Sequence, residues 1–254
     1  MRSWRILLLA GVAAVCSYAQ SPACGPPYSC IGAGSPNSTV QDAFISAYLR
    51  NGFNSLVNAP NGNVAKFGST GLIQTFPGLG GTGTLALVKP DTTSADNVAQ
   101  VQARMYAYYS TVSVATAGYP LGDAQNCSSA GCTFQLFSNR YALFVYPLPV
   151  AGGQNFAVRD PFFTKWGPPN GSLGIGSPVT AETSVTSSTG SQATVQSFTA
   201  GAIYNITSGV ISGRLLAVVE PFYDVYLAKG GATGSLRSEE HTSELQSHSF
   251  ISYA

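Results

Sequence analysis

Four stretches of the chain share one spacing of large apolar and aromatic positions. In each, a large apolar residue stands four places before an aromatic one: Phe44 and Tyr48, Met105 and Tyr109, Phe162 and Trp166, Phe222 and Tyr226. Residues four apart lie on one face of a helix, so each pair predicts a short helix with a buried side. The first members are separated by 61, 57 and 60 residues, a regularity typical of a repeat array.

Residues next to these pairs predict where the helices begin and where the chain turns after them. An acid lies two places before three of the apolar residues (Asp42, Asp160 and Glu220), where it suits a helix cap, and Pro161 and Pro221 suit the first turn. A proline-containing turn comes about twelve residues after each of the first three aromatics, at Pro60, Pro120 and Pro178.

Apolar segments after each turn predict two β-strands. The first strand is expected to end near Phe67, Phe137 and Phe198, and the second to contain 72–73, 142–144 and 202–204. Apolar and polar positions alternate in 194–198, as a half-buried strand requires. We therefore predict a β-rich α+β repeat protein in which each unit is a short helix, a Gly/Pro turn and a β-hairpin. One unit cannot bury its apolar face alone, so neighbouring units are expected to stack.

The chain divides into segments on this basis. Its start has two arginines, an apolar run of ten residues that is too short to span a bilayer, and small residues before a cleavage point, which together predict an exported protein that is not inserted in a membrane after cleavage. The predicted segments are a signal peptide (1–19), a Cys/Pro/Gly-rich leader (20–40), repeat 1 (41–90), a polar joint (91–103), repeat 2 (104–158), repeat 3 (159–218) and a truncated repeat 4 (219–236).

The last segment, 237–254, differs abruptly in composition. Its sequence RSEEHTSELQSH resembles an in-frame translation of a sequencing adapter, and we expect this tail not to be native. If repeat 4 is cut short there, Phe222 and Tyr226 are expected to lack partners.

Charge and chemistry exclude several classes of function. Residues 20–236 hold nine Lys or Arg and eight Asp or Glu, so no nucleic acid partner is expected. The same stretch has no histidine, which removes Ser-His-Asp catalysis and histidine metal sites. Paired carboxylates remain, among Asp123, Asp160, Glu182, Glu220 and Asp224, but the equivalent positions of Asp160 and Glu220 favour capping. We predict no enzyme activity, no metal site and no cofactor.

Four cysteines come after the signal segment as two close pairs: Cys24 and Cys30, Cys127 and Cys132. In an exported chain they are expected to form disulfides rather than a metal site. Three connectivities are possible, and local pairing is the simplest of them.

The third predicted unit carries a family resemblance. FFTKWGPPNGSLGIGSP (162–178), FTAGAIYNITSG (198–209) and EPFYDVYLAKGG (220–231) resemble the LGFP repeat. The resemblance implies a bacterial envelope-associated array, secreted or at the cell surface, that binds a cell-envelope or extracellular polysaccharide without catalysis. It also implies a propeller-like arrangement, which would be incomplete in this chain.

Aromatic side chains are the candidate glycan contacts, since Tyr and Trp stack on sugar faces and offer a polar edge. Tyr146 and Tyr204, expected near hairpin tips, are the preferred candidates, and Trp166 is a third whose helix position favours the core. Two other functions stay open: a structural surface or adhesin stalk, and the accessory region of a hydrolase whose catalytic domain lies outside this chain.

Overall fold

Antiparallel strands dominate the computed structural model, which describes residues 28–57, 59–127, 132–147, 154–168 and 173–233. The strands form three separate four-stranded sheets, and short helices connect them. The predicted β-rich α+β class is therefore confirmed. The predicted signal peptide, Cys24 and the tail 237–254 lie outside the described residues. None of the helices in the described ranges has the length and apolar character that a membrane crossing requires.

Each sheet is a meander whose strands neighbour one another in chain order. The first sheet contains β1 (Ala65–Phe67), β2 (Gly71–Pro77), β3 (Thr84–Lys89) and β4 (Ala99–Val101); the second contains β5 (Gln125–Asn126), β6 (Thr133–Phe137), β7 (Tyr141–Val145) and β8 (Asn155–Arg159); the third contains β9 (Thr183–Thr186), β10 (Gln192–Phe198), β11 (Gly201–Ile206) and β12 (Leu215–Val219). The predicted hairpins of the second and third units are thus the two central strands of larger sheets.

Helices form at all four apolar–aromatic pairs, as predicted. They are α1 (Ser38–Arg50), followed by the single turn α2 (Phe53–Leu56); α3 (Ala103–Val112), followed by α4 (Val114–Ala117); α5 (Phe162–Trp166); and α6 (Phe222–Ala228). Short 3-10 turns lie at Leu79–Gly81 and Gly231–Thr233. In α1, α3 and α5 both members of the pair are at most 2% exposed, because the face that carries them packs on a sheet.

The connecting helices pack between consecutive sheets. Helix α3 contacts β3 of the first sheet and β7 of the second, and α5 contacts β8 of the second sheet and β11 of the third. Each helix therefore contributes one apolar face to the contact between two sheets, and the stacking of repeat units stays a prediction.

Helix α6 has partners, so the prediction that Phe222 and Tyr226 lack them is wrong. The helix packs on β12 and on the 3-10 turn after it. The Tyr226 ring is 8% exposed and its centroid lies 5.9 Å from that of Tyr204. Phe222 is half-buried and also makes a contact. The third sheet and the 3-10 turn together bury Tyr226.

Only one of the three predicted acidic caps forms. The Asp160 carboxylate accepts hydrogen bonds from the Thr164 N–H (3.1 Å) and the Thr164 hydroxyl (2.6 Å) at the start of α5. Helix α1 begins earlier than predicted because Asn37 caps it by accepting from the Val40 N–H at 2.9 Å, which leaves Asp42 inside the helix. Before α6 the cap position is Pro221, and Glu220 makes no capping bond.

The predicted hairpin of repeat 1 forms as β1 and β2, but unlike the other two it is not the central pair of its sheet. Phe67 ends the edge strand β1, and 72–73 belong to β2. The counterpart of the β6–β7 hairpin is instead β2–β3, whose connection is the glycine-rich segment 78–83. This connection is longer than those of the other two sheets. Aligning Phe67 with Phe137 therefore matches β1, rather than β2, to β6.

Candidate functional site

A cleft of about 320 Å³ opens between the first and second sheets at the start of α3. We call it the α3 cleft. Its lining residues come from the ends of β3, β4, β6, β7 and α3 and from the adjoining loops: Thr82, Leu85, Gln100, Gln102, Ala103, Arg104, Met105, Thr133, Val145 and Pro147. A volume of this size is in the range of small-molecule sites.

The cleft combines an apolar surface with a few polar groups. Leu85, Met105 and Val145 supply buried aliphatic surface. The amides of Gln100 and Gln102 and the hydroxyls of Thr82 and Thr133 supply donors and acceptors. Among the described residues that line it, Arg104 is the single charged side chain. Such a wall can bind a ligand that presents both C–H surface and hydroxyl groups.

The start of α3 is held at the cleft by the strand before it. Strand β4 ends at Val101, and the extended backbone of Gln102 (φ −65°, ψ 156°) turns the chain into the helix without a side-chain cap. The first helical hydrogen bond runs from the Tyr106 N–H to the Gln102 carbonyl at 2.7 Å. The N–H groups of 103–105 precede that bond, so they carry the positive end of the helix dipole.

Arg104 is exposed at the rim of the cleft and is fixed by the second sheet. Its Nη1 atom donates to the carbonyl of Tyr146 at 3.1 Å, just after β7 ends. It forms no ion pair with any residue in the described part of the chain. One edge of the guanidinium is therefore anchored, and other N–H donors are left for a ligand.

Gln100 lines the cleft with a largely buried side chain. The residue is 8% exposed, and its main chain is fully used: its N–H donates to the Asp123 carboxylate at 2.6 Å, and its carbonyl accepts from the Gln135 side chain at 2.9 Å. Within the described ranges no hydrogen bond involves its side-chain amide. Its amide atoms keep accessible surface, so they can bond to a ligand or to water.

The three predicted ligand aromatics lie elsewhere, and their rings do not line the α3 cleft. Trp166 is 2% exposed and donates from its indole to the Gly176 carbonyl at 2.9 Å, which agrees with the core interpretation. Tyr204 is 8% exposed in the middle of β11 rather than at a hairpin tip, and burial raises the pKa of its phenol. A sugar could not stack on either ring without displacing the packing around it.

Tyr146 is the one predicted ligand residue that adjoins the cleft, through its carbonyl rather than its ring. Its half-buried side chain extends to the third sheet, where the hydroxyl donates to the Pro178 carbonyl at 2.5 Å. Burial raises the pKa of Tyr146 to about 12. The ligand roles of Tyr146, Tyr204 and Trp166 stay predictions.

The candidate carboxylates are mostly engaged in ion pairs. Asp123 pairs with Arg50 at 3.2 Å, Asp160 with Arg140 at 3.0 Å, and Glu182 with Arg159 at 3.0 Å, while Glu220 and Asp224 are exposed. In the described part of the chain there is no group of three or more acids, cysteines or histidines that could hold a metal. These pairings suit structural roles, and the absence of enzyme activity stays a prediction.

One of the two local disulfides is confirmed. Cys127 and Cys132 are bonded, with their Cα atoms 5.2 Å apart, and the bond links the residue after β5 to the residue before β6. Cys30 is also disulfide-bonded, while Cys24 lies outside the described residues.

Three buried glutamines were missed by the sequence analysis. Gln74, Gln135 and Gln196 are each 1% exposed and recur at intervals of 61 residues. Each Nε2 atom donates to two carbonyls, one in the loop before its own sheet and one farther back along the chain. The acceptors are Gly62 and Cys30 for Gln74, Gly122 and Gln100 for Gln135, and Thr180 and Ala157 for Gln196. The equal spacing could have revealed them, but glutamine is not a residue that one expects in a core.

No family model matches the chain, and neither the curated proteins nor the solved structures yield a match. The resemblance to the LGFP repeat therefore stays a prediction.

Proposed function

We propose that this chain is a secreted or surface-exposed, non-catalytic repeat protein that binds a cell-envelope or extracellular polysaccharide in the α3 cleft. The observation that carries the proposal is the composition of the cleft, in which amides, hydroxyls and one arginine surround an aliphatic surface. Sugars present a C–H face beside hydroxyl groups, so both kinds of surface find partners. The side-chain amide of Gln100 has no hydrogen-bond partner among the described residues, so a sugar hydroxyl can bond to it.

The repeated features of the three sheets support the array part of the proposal. The sheets have the same strand order, and a buried glutamine stands in the second strand of each. We propose that each helix and the sheet after it form one repeat. In the first sheet the Gln74 amide donates to the carbonyl of Cys30 in the leader. In the second and third sheets the corresponding amides donate to the carbonyls of Gln100 and Ala157, each in the last strand of the sheet before. At Gln74 the leader therefore takes the place of the last strand of a preceding sheet. This favours an incomplete array, capped by the leader, over a closed propeller-like ring.

Binding is tested by affinity electrophoresis of the whole chain through gels that contain xylan, β-glucan, polygalacturonate or a bacterial cell-wall polysaccharide. We expect retardation in at least one gel. The variant Gln100→Leu, Thr133→Val removes two polar groups of the cleft and should migrate freely in that gel. The control Gln125→Ala changes an exposed glutamine of β5 and should be retarded like the parent.

Two outcomes would count against the proposal. Retardation that the cleft variant keeps would place binding outside the α3 cleft. Free migration of the parent in every gel would favour the structural stalk.

A further inference from the structure

We infer that the ligand of the α3 cleft carries a carboxylate, as a uronate residue of an acidic polysaccharide does. This inference rests on the proposed function and narrows its ligand class. It is drawn from the start of α3, from Arg104 and from the largely buried side chain of Gln100, which meet in one cleft.

The electrostatic environment of the cleft favours an anion. Arg104 is its single charged lining residue among those described, and the residues that carry the first three N–H groups of the ten-residue helix α3 line the same space. No side chain in the described part of the chain caps these groups. Uncapped N–H groups and the helix dipole attract negative charge, and here both act beside a guanidinium.

Gln100 supplies an independent indication of a ligand. Its side chain is 8% exposed, lines the cleft and has no hydrogen-bond partner in the described ranges. The amide atoms keep accessible surface, so a ligand oxygen can accept from the NH₂ group in place of water. The amide therefore marks where a polar ligand atom fits, close to the helix start.

The charge and shape of the anion are constrained by the single cation. One arginine balances one negative charge, whereas a phosphate monoester carries up to two at neutral pH. The planar guanidinium matches a planar carboxylate through two parallel hydrogen bonds, and the Tyr146 carbonyl already holds one of its nitrogens in place. A uronate sugar combines this carboxylate with hydroxyls for the glutamine and threonine side chains.

The test uses two ligands with the same sugar chain, trigalacturonate and its fully methyl-esterified form, in which neutral ester groups replace the carboxylates. Calorimetric titration of the whole chain should give an affinity for the acid on the order of tenfold higher than for the ester, since one charge-assisted pair is lost. This ratio should fall as salt is raised from about 50 to about 200 mM, because salt screens an exposed pair.

Two variants separate the carboxylate contact from a general charge effect. In Arg104→Gln the ratio of the two affinities should approach one. In Arg214→Gln, which removes an exposed arginine next to β12, the ratio should equal that of the parent. A circular dichroism spectrum like that of the parent should show that each variant is folded.

The outcomes distinguish the inference from the function on which it rests. Equal affinities for acid and ester would overturn the carboxylate inference and leave polysaccharide binding intact. Binding of neutral xylotriose without either galacturonate would do the same. If acetate alone displaces trigalacturonate at equal concentration, the cleft is a simple anion site, and the sugar part of the inference fails. No binding of any saccharide would overturn the proposed function itself.

Discussion

The side-chain amide of Gln135 joins two sheets, because its Nε2 atom donates to the Gln100 carbonyl in the last strand of the preceding sheet at 2.9 Å. The same nitrogen donates to the Gly122 carbonyl in the loop before its own sheet at 2.7 Å. Gln196 repeats this with Ala157 and Thr180. The Gln135 amide also fixes the backbone of Gln100, whose side chain lines the α3 cleft.

Removing one of these amides is expected to weaken the contact between sheets. Gln196→Met keeps the shape of the side chain but leaves two carbonyls without a donor. We expect a loss of about 1–3 kcal/mol in the free energy of unfolding, measured by urea titration. Gln192→Met is a matched control in the same strand, where the side chain is exposed, and should change stability by less than about 0.5 kcal/mol. Equal losses in both variants would contradict the role assigned to the buried amide.

Two equivalent helix tyrosines are expected to respond differently to loss of the hydroxyl. Both rings are at most 1% exposed. The Tyr109 hydroxyl donates to the Gly118 carbonyl at 2.6 Å, so Tyr109→Phe should destabilise the protein by about 1–2 kcal/mol. The Tyr48 hydroxyl is buried without a partner in the described ranges, so Tyr48→Phe should be neutral or stabilising. Thermal unfolding of the two variants checks this, and a reversed order would contradict the assignment.

The periodic features of the chain were predictable, and those without a local pattern were not. Helices were placed correctly because an apolar–aromatic pair four residues apart needs only local sequence. Edge strands such as Ala99–Val101 are three residues long and show no alternation, so the sequence alone assigns them to a polar joint. The first hairpin forms, but the sequence aligns it with the wrong strand pair, because the glycine-rich connection between β2 and β3 is longer than its counterparts.

The α3 cleft could not be predicted for a related reason. Thr82, Gln100, Thr133 and Pro147 are far apart in the sequence and meet only when the first sheet, α3 and the second sheet pack together. None of them belongs to a motif. The aromatic ligand candidates are predicted from residue type alone, and Tyr204 and Trp166 pack in the interior of the protein.

Acid should remove a stabilising interaction at Asp91. Partial burial works to raise the pKa of its carboxyl, but hydrogen bonds from Ser94 and Thr93 and the nearby Lys89 ammonium hold that pKa well below the ordinary value of 3.8. Lys89 is fully buried, and its Nζ lies 3.3 Å from Oδ1 of Asp91. Because the folded-state pKa is lowered, this contribution to stability is complete above about pH 4 and is lost as the pH falls further.

Asp91→Asn tests this linkage. The variant should be less stable than the parent at neutral pH, since the buried ammonium loses its counter-charge. It should also lose less stability than the parent between about pH 5 and about pH 2, because the group that takes up a proton is gone. Urea midpoints across this range check both expectations. Parallel acid-side profiles would mean that Asp91 does not carry the linkage.

The disulfide between Cys127 and Cys132 is expected to stabilise the edge of the second sheet. Replacing both residues by alanine should lower the free energy of unfolding by roughly 2 kcal/mol, since the bond closes a very short loop. Differential scanning calorimetry under oxidising conditions measures the change. A variant as stable as the parent would show that the bond contributes nothing.

The most direct test of saccharide binding in the α3 cleft is nuclear magnetic resonance of the uniformly ¹⁵N-labelled chain, titrated separately with xylotriose and trigalacturonate. With the sugar that binds, the largest shifts should occur at the backbone amides of Ala103, Arg104 and Met105 and at the Gln100 side-chain NH₂ group. Amides of β10 and β11 in the third sheet should not move. Shifts concentrated in the third sheet, or no shift at saturation with either sugar, would contradict the assignment of the cleft as the binding site.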